Sequence, residues 1–310
     1  MASLSIIFAG SGEFGAPTLR ELAKSRHRLS LVVSQPDKPA GRGKTPAPTP
    51  ISRLAIEHGL PLLRTADINN ETLPEADLMI VVAFGQKISQ RLVKHPRLGS
   101  VNLHASLLPK YRGAAPINWT IIRGESITGN SIIRLAERMD AGAILAQSRL
   151  AVGELETAGE LHDRLAEDGR ALMLRVVETL ADGAAVEMPQ DECKATLAPK
   201  LRREDARLDF SRPADELARH IRGLYPWPGC HVRIIDPGGR PGGNVTLARA
   251  RAVASGGASP GTMTAAGTVA AGDGNALEII ELQPEGKRCM TLAAYRNGHP
   301  WESGSRLESI

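Results

Sequence analysis

Three side chains are of types that together can handle an acyl group: Asn102 and His104, two apart in Val101-Asn-Leu-His104, and Asp140 in Met139-Asp-Ala-Gly142. Alternation along a strand puts Asn102 and His104 on one face. A carboxamide donor and an imidazole so placed can stabilise charge developing on a carbonyl oxygen while one of them handles a proton. A carboxylate in a neighbouring turn can orient the imidazole and favour its charged form. Spacing alone leaves blander readings open: two polar residues at a strand end also suit a solvated edge, and an Asp before Ala141-Gly142 also suits turn formation.

A second pattern lies at the start of the chain. Gly10, Gly12 and Gly15 fit G-x-G-x-x-G directly after an apolar run, the context of dinucleotide binding. That fingerprint also needs an acid closing the second strand, to hold the ribose. Here the strand ends Val33-Ser34-Gln35-Pro36, with Asp37 only beyond the proline. The glycines are therefore read as letting the first helix pack closely on the sheet, and no NAD is expected. An NAD-dependent oxidoreductase is the alternative from another class, separable by a spectroscopic test for bound nicotinamide.

The elements that must position these residues follow from periodicity. Apolar runs at 4–9, 29–33, 60–63, 78–83 and 100–103 alternate with helical spacing at 17–24 and 51–58, which predicts βα units building a mostly parallel sheet. Strands are expected at 131–135 and 143–150, separated by the turn-like 138–142. A long amphipathic helix should open at Thr157, with Glu160 completing a capping box, and stop at Gly183. Ser211 is read as the cap of a helix over 215–222 ended by Gly223. Short runs at 231–235, 245–250, 267–270, 277–282 and 290–294 then suggest a small OB-type β-barrel. The fold class expected is α/β: a Rossmann-like, mostly parallel sheet with helices on both faces, then a small OB-like barrel. The domains follow as 1–189 (catalytic), a basic linker at 190–207, and 208–310 (C-terminal).

Composition narrows the class. The chain has 310 residues with 42% hydrophobic and 23% charged, enough for two cores and a poor match to disorder. The first apolar run is too short to span a bilayer and no leader pattern surrounds it, so a cytoplasmic protein without membrane association is expected. Cys193, Cys230 and Cys289 lie far apart without a C-x-x-C pair, which supports neither disulfides nor a metal site. A net charge of +4 is compatible with a polyanionic partner but does not demand one.

The chemistry-bearing residues resemble a known family. Asn102, His104, the run Ser106-Leu-Leu-Pro-Lys-Tyr-Arg-Gly113 and Asp140 match the core of formyltransferases that use 10-formyltetrahydrofolate. Phe8-Ala-Gly10, the segment at 35–44, Leu197-Ala-Pro-Lys200 and Pro226-Trp-Pro228 extend the likeness to the methionyl-tRNA formyltransferase family, nearly end to end. The first loop departs from that family's pattern, and the C-terminal half matches more weakly. The resemblance implies formyl transfer from 10-formyltetrahydrofolate to the α-amine of methionine on initiator tRNA, with Asn102, His104 and Asp140 catalytic and no metal. It places the folate near Ser106, Leu107, Leu108, Pro109, Phe84, Gly85 and Gln86. It implies tRNA contacts at Lys38, Arg42 and Lys44, in a basic loop at 36–50 whose prolines and glycines argue against helix or strand. Lys200, Arg202 and Arg203 are read as adding backbone contacts. No obligate protein partner is implied. Sugar-nucleotide formyltransferases are the rival within the class, and a nucleic-acid-binding protein with a degenerate enzymatic half is a reading outside it.

Overall fold

The apolar runs of the first half pair as their continuous hydrophobicity implies, and the central strands are buried along nearly their whole length. The computed structural model describes residues 3–40, 45–255 and 257–310. In chain order it begins with β1 (Ser5–Gly10), α1 (Ala16–Lys24), β2 (Arg28–Ser34), β3 (Lys38–Ala40), β4 (Thr45–Ala47), α2 (Pro50–Glu57) and β5 (Leu62–Arg64). β6 (Leu78–Val82), α3 (Gln90–Val93), β7 (Ser100–His104), β8 (Arg112–Gly113), α4 (Pro116–Ile122) and β9 (Ile127–Thr128) follow. Next come β10 (Ser131–Arg134), β11 (Ile144–Gln147), β12 (Leu150–Ala151), α5 (Ala158–Ala181) and β13 (Leu197–Ala198).

Two compact units emerge, and their limits differ from those expected: 1–113, 128–150 and 162–198 form one, and 114–127, 151–161 and 199–310 the other. The first is built on a seven-stranded sheet ordered β11-β10-β7-β6-β1-β2-β5. The strands from β7 to β5 are parallel, and β10 and β11 add an antiparallel edge. Strand order reverses between β1 and β6, so the crevice used for ligands in open α/β sheets lies at the carboxyl ends of these strands. Ile7, Val33, Met79, Val81 and Phe84 are buried together against the sheet.

The β10–β11 connection contains the expected turn, the Ala141 amide donating to the Arg138 carbonyl at 3.3 Å, but it does more than reverse the chain. β10 runs antiparallel to β7 and ends level with Val101, yet Asp140 reaches His104 at the other end of β7. The segment at 135–143 therefore folds back over the sheet, which places Asp140 far from where a hairpin would leave it. The loop at 36–50 differs as well: β3 and β4 pair antiparallel, with Pro39 opposite Pro46. A two-stranded ribbon tolerates these prolines because each strand is an edge. Arg42 and Lys44 lie outside the described residues.

The segment expected as a linker is built into the fold. Glu192–Lys194 and Arg203–Ala206 form single helical turns, and β13 pairs parallel with β8. The missing periodicity reflects pieces of two to four residues, each too short to show one.

The second unit continues with α6 (Ala214–Leu224), β14 (Cys230–Ile235), β15 (Pro241–Val253), β16 (Val269–Ala270), β17 (Ala276–Pro284), β18 (Met290–Thr291), α7 (Leu292–Arg296) and β19 (Arg306–Ser309). Its antiparallel sheet is ordered β16-β17-β15-β14-β19, with β18 on β17. Bridges Thr262↔Arg306 and Met263↔Val269 carry the pairing back toward β16, so the sheet nearly closes into a barrel. Leu217, Ile221, Val232, Leu247, Leu277 and Leu282 share its core. Three local expectations fail here. Ser211 bonds Asp209 through its hydroxyl at 2.6 Å and does not cap α6, whose cap position is Pro213. Gly223 lies within α6, where a Cβ would meet Ile122 Cγ1 at 2.5 Å, so close packing on α4 explains the glycine. The run at 290–294 breaks after two strand residues because Thr291 Oγ1 accepts the Ala294 amide at 3.2 Å and caps α7.

Candidate active site

β7 delivers Asn102 and His104 to the crevice, and the loop after it is fastened from three sides. Ser131 Oγ donates to Ser106 O at 2.6 Å and accepts from the Leu108 amide at 3.1 Å. Gln147 Nε2 donates to Leu108 O at 2.9 Å, and Ser106 Oγ to Lys110 O at 2.7 Å. The Tyr111 amide donates to Thr196 Oγ1 at 2.9 Å, from the segment read as a linker. Ser106 and Leu108 are thereby buried, while Leu107 and Pro109 stay partly exposed.

His104 is 6% exposed. Its Nε2 stands 2.9 Å from the carbonyl of Tyr111. A carbonyl only accepts, so Nε2 carries a hydrogen and Nδ1 is the nitrogen left to gain or lose a proton. Nδ1 faces Asp140 Oδ2 at 3.6 Å, beyond hydrogen-bond length but within the reach of charge. The Gly113 amide donates to that same oxygen at 2.9 Å. Asp140 adopts a left-handed backbone, with φ of 53°. Asn102 is partly exposed, and its amide makes no hydrogen bond among the described residues. The arrangement thus offers a free carboxamide, an imidazole with one committed nitrogen, and a carboxylate aimed at the other.

The remaining predicted residues divide. Phe84 is buried in the sheet core, and its carbonyl accepts from Gln35 Nε2 at 2.7 Å and Ser11 Oγ at 3.2 Å. Both ends of the Gln86 amide are used, by the Ile68 amide and the Thr65 carbonyl, each at 2.8 Å. These two side chains are taken up by core packing and by internal hydrogen bonds, and Gly85, at φ 75°, turns the backbone between them. Lys38, Lys200, Arg202 and Arg203 are exposed. At Gly10 a Cβ would stand 2.8 Å from Phe8 Cε1 and 2.9 Å from Val82 O, so close packing accounts for this glycine without a dinucleotide. Among the described residues no group of three or more His, Cys, Asp or Glu is placed to hold a metal ion, and no helix is long and apolar enough to cross a membrane.

Gln190, Arg112, Ser131 and Gln147 escaped the sequence reading as site residues. Only Arg112 had a signal, its place in the run ending at Gly113.

Residues 3–177 match the formyl transferase family, and residues 200–300 match the formyl transferase C-terminal domain. The chain belongs to the formyltransferase family. It is 41% identical over 296 residues to a methionyl-tRNA formyltransferase of Ectopseudomonas mendocina, covering 92% of both chains. To that of Acidobacterium capsulatum it is 40% identical over 315 residues, covering 98% of this chain and 99% of the relative. Among solved structures it resembles the N-formyltransferase of Helicobacter canadensis in complex with folinic acid and dTDP-3-aminofucose. The TM-score is 0.67 at 14% identity, over 91% of this chain and 99% of that one. The sugar 3N-formyltransferase WlaRD follows with TM-score 0.64 at 15% identity, over 93% and 100%. At such identities these two structures speak for the fold alone, and the formyltransferase fold houses the geometry described above.

Proposed function

We propose that this formyltransferase moves the formyl group of 10-formyltetrahydrofolate to the α-amino group of methionine esterified to initiator tRNA, giving N-formylmethionyl-tRNA. The observation that carries this reading is identity near 40% with methionyl-tRNA formyltransferases along nearly the full length of both chains. The sugar-modifying neighbours share the architecture at 14–15% identity, which does not favour a sugar acceptor.

The residues present fit a folate donor. The Asn102 carboxamide, on the strand that leads into the crevice, is partly exposed and unbonded among the described residues, and Leu107 in the loop that follows is partly exposed as well. In the reaction the acceptor amine bonds to the formyl carbon, the carbon's bond to N10 breaks, and the proton shed by the amine is balanced by one gained at N10. Asn102 donates to the oxygen on which charge builds. Asp140 attracts the amine's protons and holds charge beside His104 Nδ1, which relays the proton. Backbone groups at 83–86 and the Ser106–Pro109 loop hold the folate. Lys38, Lys200, Arg202 and Arg203, with Arg42 and Lys44, bind tRNA phosphates.

The deciding experiment offers the protein charged initiator tRNA, free methionine and an amino-sugar nucleotide side by side, with the same donor. Formylation of the tRNA alone is expected. Preference for the amino sugar would overturn the assignment.

A further inference from the structure

The Asp140 turn is held at its side chains by Arg138, bonded to Glu192 at 3.0 Å, and at its backbone by Gln190. Gln190 Nε2 donates to the carbonyl of Asp140 at 2.7 Å and to that of Gly142 at 2.8 Å, so both its hydrogens grip the segment carrying the carboxylate. Its Oε1 accepts from Arg112 Nε at 3.0 Å and Nη2 at 2.7 Å. These four bonds use every polar atom of the amide, and they fix which end faces which. Arg112 is in turn 5% exposed and forked onto Glu192, at 2.8 and 3.0 Å. It also precedes Gly113, whose amide holds Asp140 Oδ2. Gln190 therefore ties both sides of the Asp140 contact to one buried guanidinium.

Such a tie has work to do. Asp140 sits at φ 53°, a left-handed conformation that Asp tolerates better than most side chains but that its surroundings still have to hold. Its carboxylate must stay near a buried imidazole against the solvation that an unrestrained turn would gain. We propose that Gln190 is a positioning residue for formyl transfer, clamping the backbone of the Asp140 turn so that the carboxylate stays against His104. The inference rests on the functional reading above and names a residue whose hydrogen bonds go to Arg112, Asp140 and Gly142 and not to His104.

The test uses Gln190→Met, similar in length but unable to bond, and Gln190→Glu, which still accepts from Arg112 but turns an oxygen toward two carbonyls. Single-turnover formylation of charged tRNA should fall by roughly 10²-fold in both, because a displacement near 1 Å costs about that much. KM for tRNA and folate should stay close to wild type in both, and both variants should keep the wild-type circular-dichroism spectrum even though losing the two carbonyl bonds lowers their melting temperatures. Adding Gln190→Met to Asp140→Asn should then change the rate less than about twofold, since a residue acting through Asp140 loses its effect when that carboxylate is gone. A near-normal rate in Gln190→Glu would overturn the inference by making Arg112 anchoring sufficient. So would losses that multiply in the double variant, which mark a general structural role. A wild-type protein inactive on charged tRNA would remove the functional reading itself, and the positioning role with it.

Discussion

The committed Nε2 of His104 makes proton traffic at this site one-sided. With that hydrogen held by the Tyr111 carbonyl, exchange runs through Nδ1, and the nearest charge to Nδ1 is Asp140. Replacing Asp140 by Asn preserves an acceptor for the Gly113 amide and removes the charge. The variant should keep its melting temperature while kcat falls by roughly 10² to 10⁴, the range of a lost acid–base partner. Turnover within a few-fold of wild type would reduce Asp140 to a turn former. At this scale the candidates Asn102, His104 and Asp140 were legible as polar groups in or next to a long motif, and the structure sets Asp140 against His104. Gln190 was not legible. Its Nε2 partners are backbone carbonyls 48 and 50 positions away, which leave no mark on sequence, and its Oε1 partner Arg112 is 78 positions away.

Elements with their own local chemistry were the readable ones. Thr157 and Glu160 form the expected capping box: the Thr157 amide reaches Glu160 Oε2 at 2.9 Å, and the Glu160 amide reaches Thr157 Oγ1 at 3.4 Å. No local pattern hints that Arg249, in β15, also binds Glu160, at 2.7 Å, because that pairing comes from the tertiary fold. The Arg249 hydrogen bond, followed by those from Thr157, pulls the Glu160 carboxyl down to about 2 against burial that raises it. A carboxyl depressed in the folded state stabilises above its unfolded value, and the stability is lost as pH falls through the folded one. The stability gap between wild type and Glu160→Gln should therefore be full at neutral pH and shrink from about pH 4.5 toward 2 in denaturant titrations. Half of the Glu160 side chain is exposed, so the gap should also narrow in high salt. A gap independent of pH would mean that the cap, rather than the charge, does the stabilising. The elements that sequence missed or misread are short ones: β8, β13 and β19 went unread because they pair through registers that only distant chain segments define, and α7 replaces half an apparent strand through one threonine cap.

On the proposed function, a small chemical site has to serve a large polyanionic acceptor, and a net charge of +4 is modest for that task. What counts is which cations are uncommitted. Arg202 is bonded to Glu204 at 3.1 Å, and Lys38 donates to Gln35. Lys200 and Arg203, by contrast, are exposed and make no ion pair among the described residues. Their charge can be spent on phosphates without first breaking a bond. Each phosphate neutralised releases condensed counterions, so affinity for tRNA should fall steeply with salt while affinity for folate, with a few charges of its own, changes far less. In formylation assays from about 50 to 200 mM salt, KM for charged tRNA should climb and KM for the donor should hold. Changing Lys200 and Arg203 together to Ala should lower the slope of log KM against log salt by about one to two units, roughly one for each phosphate no longer neutralised. kcat at saturating tRNA should be unchanged, because neither side chain belongs to the catalytic cluster. An unaltered slope would return both residues to ordinary solvated surface and leave tRNA binding to the remaining basic positions, Arg42 and Lys44 among them.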